Sequence, residues 1–182
     1  ACSVFSLQGV EMMSTIVDIW KVPSSKTNDW ALLDKLSISG KPIVLSTGMS
    51  DGEEVRDAIR VVQQYTGRLC VLHCVSEYPT PPEHINISDW ADRFDVEWGV
   101  SDHSGTLWPG IAAVTLGADM LEVHCCWHRA SWGPDVSSSL TIDELKQLVD
   151  GVRFVEKMRA STITKDELAK ELEPVRRVFR EC

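Results

Sequence analysis

The chain has no apolar run approaching the roughly 18 residues that a membrane-spanning helix needs, so no stretch of it reads as a transmembrane helix. It is also short of positive charge. Lys and Arg number 18 against 27 Asp and Glu, a net charge of −9. That balance argues against a nucleic-acid partner, and an anionic substrate would have to be met by local cations rather than by the overall field. None of the six cysteines (Cys2, Cys70, Cys74, Cys125, Cys126 and Cys182) forms a CxxC pair. Cys70, Cys74 and Cys125 fall in apolar stretches, where a free thiol behaves as a small hydrophobe. A reducing, cytoplasmic protein is therefore expected. Low-complexity segments and repeats beyond a strand–helix rhythm are absent. No signal-peptide pattern opens the chain, its first residue is Ala1 rather than Met, and Cys182 follows an unfinished helical pattern. A piece of a longer polypeptide is expected.

Five short runs rich in Val, Ile, Leu and Cys read as strands: residues 17–22, 42–46, 69–74, 96–101 and 120–125. They show little alternation, as expected of strands buried on both faces. Helical patterns separate them. Ser50-Asp51-Gly52-Glu53 reads as a capping box for a helix over residues 52–65, with Gly67 as its stop signal. A short helix is expected over residues 107–116. Thr141-Ile142-Asp143-Glu144 opens another, to about residue 158, and Thr164-Lys165-Asp166-Glu167 a third, broken at Pro174. This order predicts an α/β parallel sheet with right-handed crossovers. Five strands do not close an eight-stranded barrel, so the expectation is an open sheet or part of a barrel with strands upstream.

Chemistry-bearing residues collect at the carboxyl ends of the strands, where α/β sheets and barrels build active sites. His103 closes the run Val96 to His103, and His124 closes Met120 to His124. Ser101 shares a face with His103, and Glu122 shares one with His124, because side chains alternate along a strand. Neutral imidazole is the commonest metal ligand. Two imidazoles with an acid or water suit Mn, Fe or Zn; the alternative is a pair of hydrogen-bonded core-rim histidines. Lys21, inside an apolar strand and followed by Ser24 and Ser25, reads as an anion cradle or as an edge lysine whose ammonium reaches solvent. The Ser46-Thr47-Gly48-Met49 turn before a capped helix is anion-friendly or a plain turn. Tyr78 reads as a polyol contact or a loop aromatic, and Asp135 as a sugar or proton-transfer contact or a turn residue. His73, His84 and His128 have no clear constellation. The tryptophans read as core and rim packing.

Six stretches, in order along nearly the whole chain, resemble the sialic acid synthase family, which includes N-acetylneuraminate synthase and its legionaminate and pseudaminate relatives. They are Lys21-Val22-Pro23-Ser24; Lys41-Pro42-Ile43-Val44-Leu45-Ser46-Thr47-Gly48-Met49; His73-Cys74-Val75-Ser76-Glu77-Tyr78-Pro79-Thr80-Pro81-Pro82-Glu83; Ser101-Asp102-His103-Ser104-Gly105; Glu122-Val123-His124; and Gly133-Pro134-Asp135. The resemblance implies a (β/α)8 barrel of which residues 1–160 form about five βα units, roughly strands 4 to 8. Residues 161–182 would form a terminal helix and the start of a linker to an antifreeze-like domain. It implies condensation of phosphoenolpyruvate with an N-acylhexosamine such as N-acetylmannosamine, giving a nine-carbon 2-keto acid and phosphate.

By the same resemblance, His103 and His124 bind a divalent metal, Mn first, with Mg and Co as alternatives. Lys21, Ser24, Ser46, Ser76 and Ser101 contact phosphoenolpyruvate, with Ser3, in the loop after the third strand, joining them. Tyr78 and Asp135 contact the amino sugar, and His103, His124, Lys21 and Asp135 form the catalytic set. The chain departs from the family pattern at Lys26, His128, Val136 and Ser76. The family takes further sugar contacts from its first three strands and an arginine from a partner subunit, which implies a homodimer and an inactive isolated fragment. A half barrel with two open edges is expected to fold poorly or associate when alone.

Overall fold

The structure is a computed structural model describing residues 1–65, 68–91 and 93–180. Gly67, the expected helix stop, and Cys182 lie outside the described residues. Strands β1 (Cys2–Ser3), β2 (Trp20–Val22), β3 (Ile43–Ser46), β4 (Leu69–Cys74), β5 (Glu97–Asp102), β6 (Met120–Cys126) and β7 (Ser139–Thr141) form one sheet. Each strand pairs in parallel with its neighbours in sequence. Helices α1 (Leu7–Met13), α2 (Trp30–Ile38), α3 (Gly52–Gln63), α4 (Trp108–Leu116) and α5 (Ile142–Arg159) lie between and after the strands, and α6 (Lys165–Glu171) and α7 (Glu173–Arg180) follow. The result is the curled wall of a (β/α)8-type barrel. None of the described helices is long and apolar enough to cross a membrane.

Among the described residues there are seven strands where five were expected. The two additional ones, β1 and β7, have two and three residues and rest on backbone pairing, too short to show as apolar runs. Ser3 is accordingly a strand residue, paired with Lys21, and not a loop residue. The capping box of α3 sits one residue later than expected, on Asp51 and Glu54, because Asp51 accepts from the backbone of both Glu53 and Glu54. The boxes on Thr141 and Thr164 are where the sequence puts them. Pro174 does not break a helix. The break is at Leu172, and Pro174 occupies the first turn of α7, where a missing N–H costs nothing.

The period of two along each strand divides the sheet into two faces. Trp20, Val22, Ile43, Leu45, Leu69, Val71, Trp98 and Val100 pack on the helices, against Leu32, Leu33, Leu36, Val55, Ala58 and Val62. The opposite, inner face carries a small apolar floor of Val44, Cys70 and Leu72, with Ile19 and Met120 half-buried beside it. Above that floor the inward positions turn polar. Strand β6 is half-buried along most of its length, while β3 is wholly buried. Burial on both faces therefore fails for β6, because it borders an opening of about 540 Å³ shared with β1 and β2 and another of about 280 Å³ between it, α4 and α5. Cys125 is exposed at the first of these and is not the buried thiol its apolar context implied. Trp127 and Trp132 are 86% and 99% exposed, so they are not packing residues.

Candidate active site

The inner face sets the site through register. Cys74 pairs with Ser101, and Ser101 with Glu122, so three inward polar groups stand side by side on β4, β5 and β6. Two positions further along, His103 follows the end of β5, while His124 is still within β6 and pairs with Ser139 of β7. Lys21, Ser24, Ser46, Ser76, Tyr78, Ser101, His103 and His124 all line one concavity of about 200 Å³, together with Met49, Cys74 and Glu122. Asp135 stands at its margin, its Oδ2 3.5 Å from His124 Nδ1. Ser3 does not line it; it is exposed, and borders the neighbouring opening by β1.

Lys21 is the sole Lys or Arg lining this concavity among the described residues, and its side chain is 12% exposed. Its Nζ donates to Ser46 Oγ at 2.7 Å and lies 3.3 Å from Glu122 Oε1. That carboxylate is the anion that a lysine in an apolar strand needs. Ser101 Oγ donates to the same Glu122 oxygen at 2.7 Å. On the other side, Gly48 N–H donates to Ser24 Oγ at 2.9 Å. The site is thus an ammonium and several hydroxyls around a protein carboxylate, a donor-rich surface suited to a compact anion.

The two imidazoles lie on the same side of the sheet, with ring centroids 5.2 Å apart and planes nearly perpendicular. His103 Nδ1–H donates to the Val75 carbonyl at 2.8 Å, which directs Nε2 toward Tyr78 OH at 3.2 Å. Tyr78 stacks on that ring at 4.1 Å. Burial favours the neutral ring of His103, but Cys74 and the Val75 carbonyl outweigh it and raise its pKa. Burial also opposes ionisation of the Cys74 thiol, yet contacts with His103 and Ser24 lower its pKa below the ordinary value. Burial, reinforced by the nearby Cys74, Asp135 and Glu122, raises the Tyr78 phenol, which keeps its proton.

Ser139, Gly105 and α5 are tied together by Arg129, which donates to the carbonyls of Ser139 (2.6 Å) and Gly105 (3.0 Å) and to Glu144 Oε2 (2.6 Å). The Arg129 guanidinium and the Thr141 cap hold the Glu144 carboxyl down to about 2. Because that lies below the ordinary 4.5, the contribution to stability is complete above pH 4.5 and is lost as pH falls toward 2. Glu144→Gln is expected to lower the melting temperature by roughly 3 °C at pH 7. The difference between variant and native protein should shrink steadily below pH 4.5 in a calorimetric pH series; a difference that grows on acidification contradicts the assignment.

Comparison with known proteins bears on this arrangement. A family model described as the NeuB family matches residues 1–164. The chain belongs to the NeuB family. The N,N'-diacetyllegionaminic acid synthase of Campylobacter jejuni is 32% identical over 168 residues, covering 88% of this chain and 50% of that protein. The N-acetylneuraminate-9-phosphate synthase of Homo sapiens is 36% identical over 149 residues, covering 80% of this chain and 42% of that protein. The crystal structure of the N-acetylneuraminic acid synthetase of Leptospira borgpetersenii, in complex with citrate, superposes with a TM-score of 0.85 at 25% identity, over 99% of this chain and 65% of that one. This NeuB-family chain spans about half the length of the curated relatives it matches.

Cys74, expected from its apolar stretch to behave as a small hydrophobe, has its sulfur among the polar groups of the site. Glu122 shares the face of His124 as its strand position predicts, but its pairing with Lys21 joins β2 to β6, across the curl of the sheet. Only the closure of a curved wall brings those strands together, and no sequence spacing encodes it. His84 pairs with Glu77 at 2.7 Å outside the concavity, and His128 Nδ1 accepts from the Ala130 backbone. His73 packs against Trp90 with ring centroids 5.0 Å apart.

Proposed function

We propose that this chain is the phosphoenolpyruvate-binding part of a sialic-acid-type synthase, which joins phosphoenolpyruvate to an N-acylhexosamine such as N-acetylmannosamine and releases phosphate. The observation that carries this reading is the shared concavity, with Lys21 and the Ser24, Ser46, Ser76 and Ser101 hydroxyls on one side and two imidazoles on the other. A trianion needs one buried cation and several hydroxyl donors, and both are present. In the absence of substrate, Glu122 accepts from Lys21 and Ser101. An arriving phosphoenolpyruvate competes for those donors, so Glu122 sets the threshold an anion must exceed to bind. Tyr78 and Asp135 flank the imidazoles, where the sugar hydroxyls would lie. The concavity holds the two reactants in near-attack geometry, which removes much of the entropic barrier to a two-substrate condensation.

The residues present fit a divalent ion held by two protein nitrogens. His103 has its Nδ1 proton committed to a carbonyl, so Nε2, which faces Tyr78 OH at 3.2 Å, is the nitrogen that would take a ligand in exchange for that contact, and His124 Nδ1 faces Asp135. A hydrogen-bonded second nitrogen is the usual support for a ligating histidine. Among the described residues no group of three His, Cys, Asp or Glu side chains gathers around one point, so the remaining ligands would come from solvent and substrate. Mn is the proposed ion, with Mg and Co as alternatives, and it would supply Lewis-acid polarisation of the sugar aldehyde. The proposed setting is a cytoplasmic homodimer. Residues 1–182 alone are expected to be inactive, because sugar contacts lie elsewhere in such synthases.

Two measurements on the full-length protein test this. Phosphate release should require both phosphoenolpyruvate and an N-acylhexosamine. Release without the amino sugar, or a preference for a simple aldose phosphate, would replace this reading with that of another phosphoenolpyruvate-dependent aldose synthase. Purified after loading with Mn, the protein should hold about one ion per chain by atomic emission, and His103→Ala and His124→Ala should each lower retained metal at least tenfold. Variants that keep their full metal content remove the imidazoles from the metal site.

A further inference from the structure

Four consecutive strand ends are joined by one run of contacts that the reading above does not use. Gly48 N–H, after β3, donates to Ser24 Oγ, after β2, at 2.9 Å. Ser24 Oγ donates to Cys74 Sγ, at the end of β4, at 3.6 Å. Cys74 Sγ lies 3.9 Å from His103 Nδ1, after β5. The thiol is 7% exposed, within the wall of the anion-binding concavity. The packing around this run is tight. A Cβ on Gly48 would come to 2.4 Å from Ser76 Oγ, 2.8 Å from Cys74 Sγ and 3.0 Å from Ser24 Oγ. Three side chains thus converge on a backbone position that has room for none of its own.

We propose that Cys74 is a positioning residue for phosphoenolpyruvate, its sulfur parking the Ser24 hydroxyl between the Gly48 backbone and the His103 ring. The inference rests on the proposed function and assigns a role to a residue which that function leaves idle. Its chemical logic lies in the weakness of sulfur as an acceptor. The Ser24 lone pair is held by Gly48 N–H, and its proton is aimed but loosely held. An incoming phosphate or carboxylate oxygen takes that proton at little cost. A carbon in place of the sulfur would leave the hydroxyl unaimed. The Val75 carbonyl accepts the His103 Nδ1 proton, so the sulfur backs the ring without claiming it.

The test is calorimetric titration of phosphoenolpyruvate into the full-length protein. Cys74→Val, nearly isosteric but unable to accept, is expected to weaken binding about fivefold. Cys74→Ser keeps the hydroxyl aimed but holds its proton more tightly than sulfur does, so its affinity should fall between native and Cys74→Val, a partial recovery that a purely packing role would not produce. Ser24→Ala should weaken binding about tenfold, and Ser24→Ala combined with Cys74→Val should be no weaker than Ser24→Ala alone, because the sulfur acts through the hydroxyl. Additive losses, or a Cys74→Ser variant as weak as Cys74→Val, overturn the proposal. Should Cys74→Val lack a cooperative melt, the cycle with Cys74→Ala decides in the same way. A native protein that does not bind phosphoenolpyruvate defeats the proposed function itself; native binding with an additive cycle defeats only the role of Cys74.

Discussion

Lys21→Met is expected to weaken phosphoenolpyruvate binding at least about 100-fold while leaving the fold intact. The Lys21 side chain is 12% exposed, and it is the sole Lys or Arg lining the concavity among the described residues. Its removal has two consequences. The attraction for the trianion is lost, and Glu122, 3.3 Å from the ammonium, keeps its charge with no cation beside it. An entering substrate would then meet net repulsion at the position where native protein supplies attraction. Methionine preserves the apolar stem that crosses the inner face, so the melting temperature should change little. Calorimetric titration of native and variant full-length protein measures the effect. A loss of less than about threefold would show that the anion is bound elsewhere.

The largest expected effect on stability comes from Gly99→Ala. A Cβ at Gly99 would lie 2.1 Å from the Met120 carbonyl oxygen and 2.8 Å from Leu72 Cδ2. Leu72 could turn aside, but the carbonyl cannot. Gly99 and Met120 are register partners in the β5–β6 ladder, and Asp119 N–H donates to the Trp98 carbonyl at 2.8 Å beside them. Relief requires separating the two strands that carry Ser101, His103, Glu122 and His124. A cost of about 3 kcal/mol or more is expected, equivalent to a fall in melting temperature on the order of 10 °C. Thermal unfolding followed by circular dichroism gives the answer, and a fall under about 2 °C would mean that β5 and β6 are not packed this closely.

Much of this architecture is legible in the chain because its signals are local. The Thr141 and Thr164 capping boxes, the apolar runs of β3 to β6 and the histidines at the ends of β5 and β6 each depend on a few adjacent residues. Strands β1 and β7 are not legible, since two or three residues held by backbone pairing leave no side-chain pattern. The shifted cap of α3 turned on whether Ser50 or Asp51 reaches the free N–H groups, and a carboxylate that accepts from two of them prevails. At the site, the hydroxyls and Lys21 could be read from their places at strand ends. The roles of Glu122 and Cys74 could not, because their partners lie 101 residues away in Lys21 and 50 residues away in Ser24. The exposure of Trp127 and Trp132 ran against composition, which places indoles inside.

Strand order in this sheet is simply chain order, from β1 to β7. No strand is threaded between two laid down earlier, so each new one needs only the ladder just completed. Assembly can then proceed by accretion, one crossover at a time, with the mean sequence separation of contacts set by a single βα unit rather than by the whole length. The two donors that meet at Glu122 come from β2, near the start of that progression, and from β5, immediately before β6. The anion-binding chemistry is therefore among the last properties to emerge as the wall curls, and any fault in an intermediate unit reaches it before it reaches the helices outside.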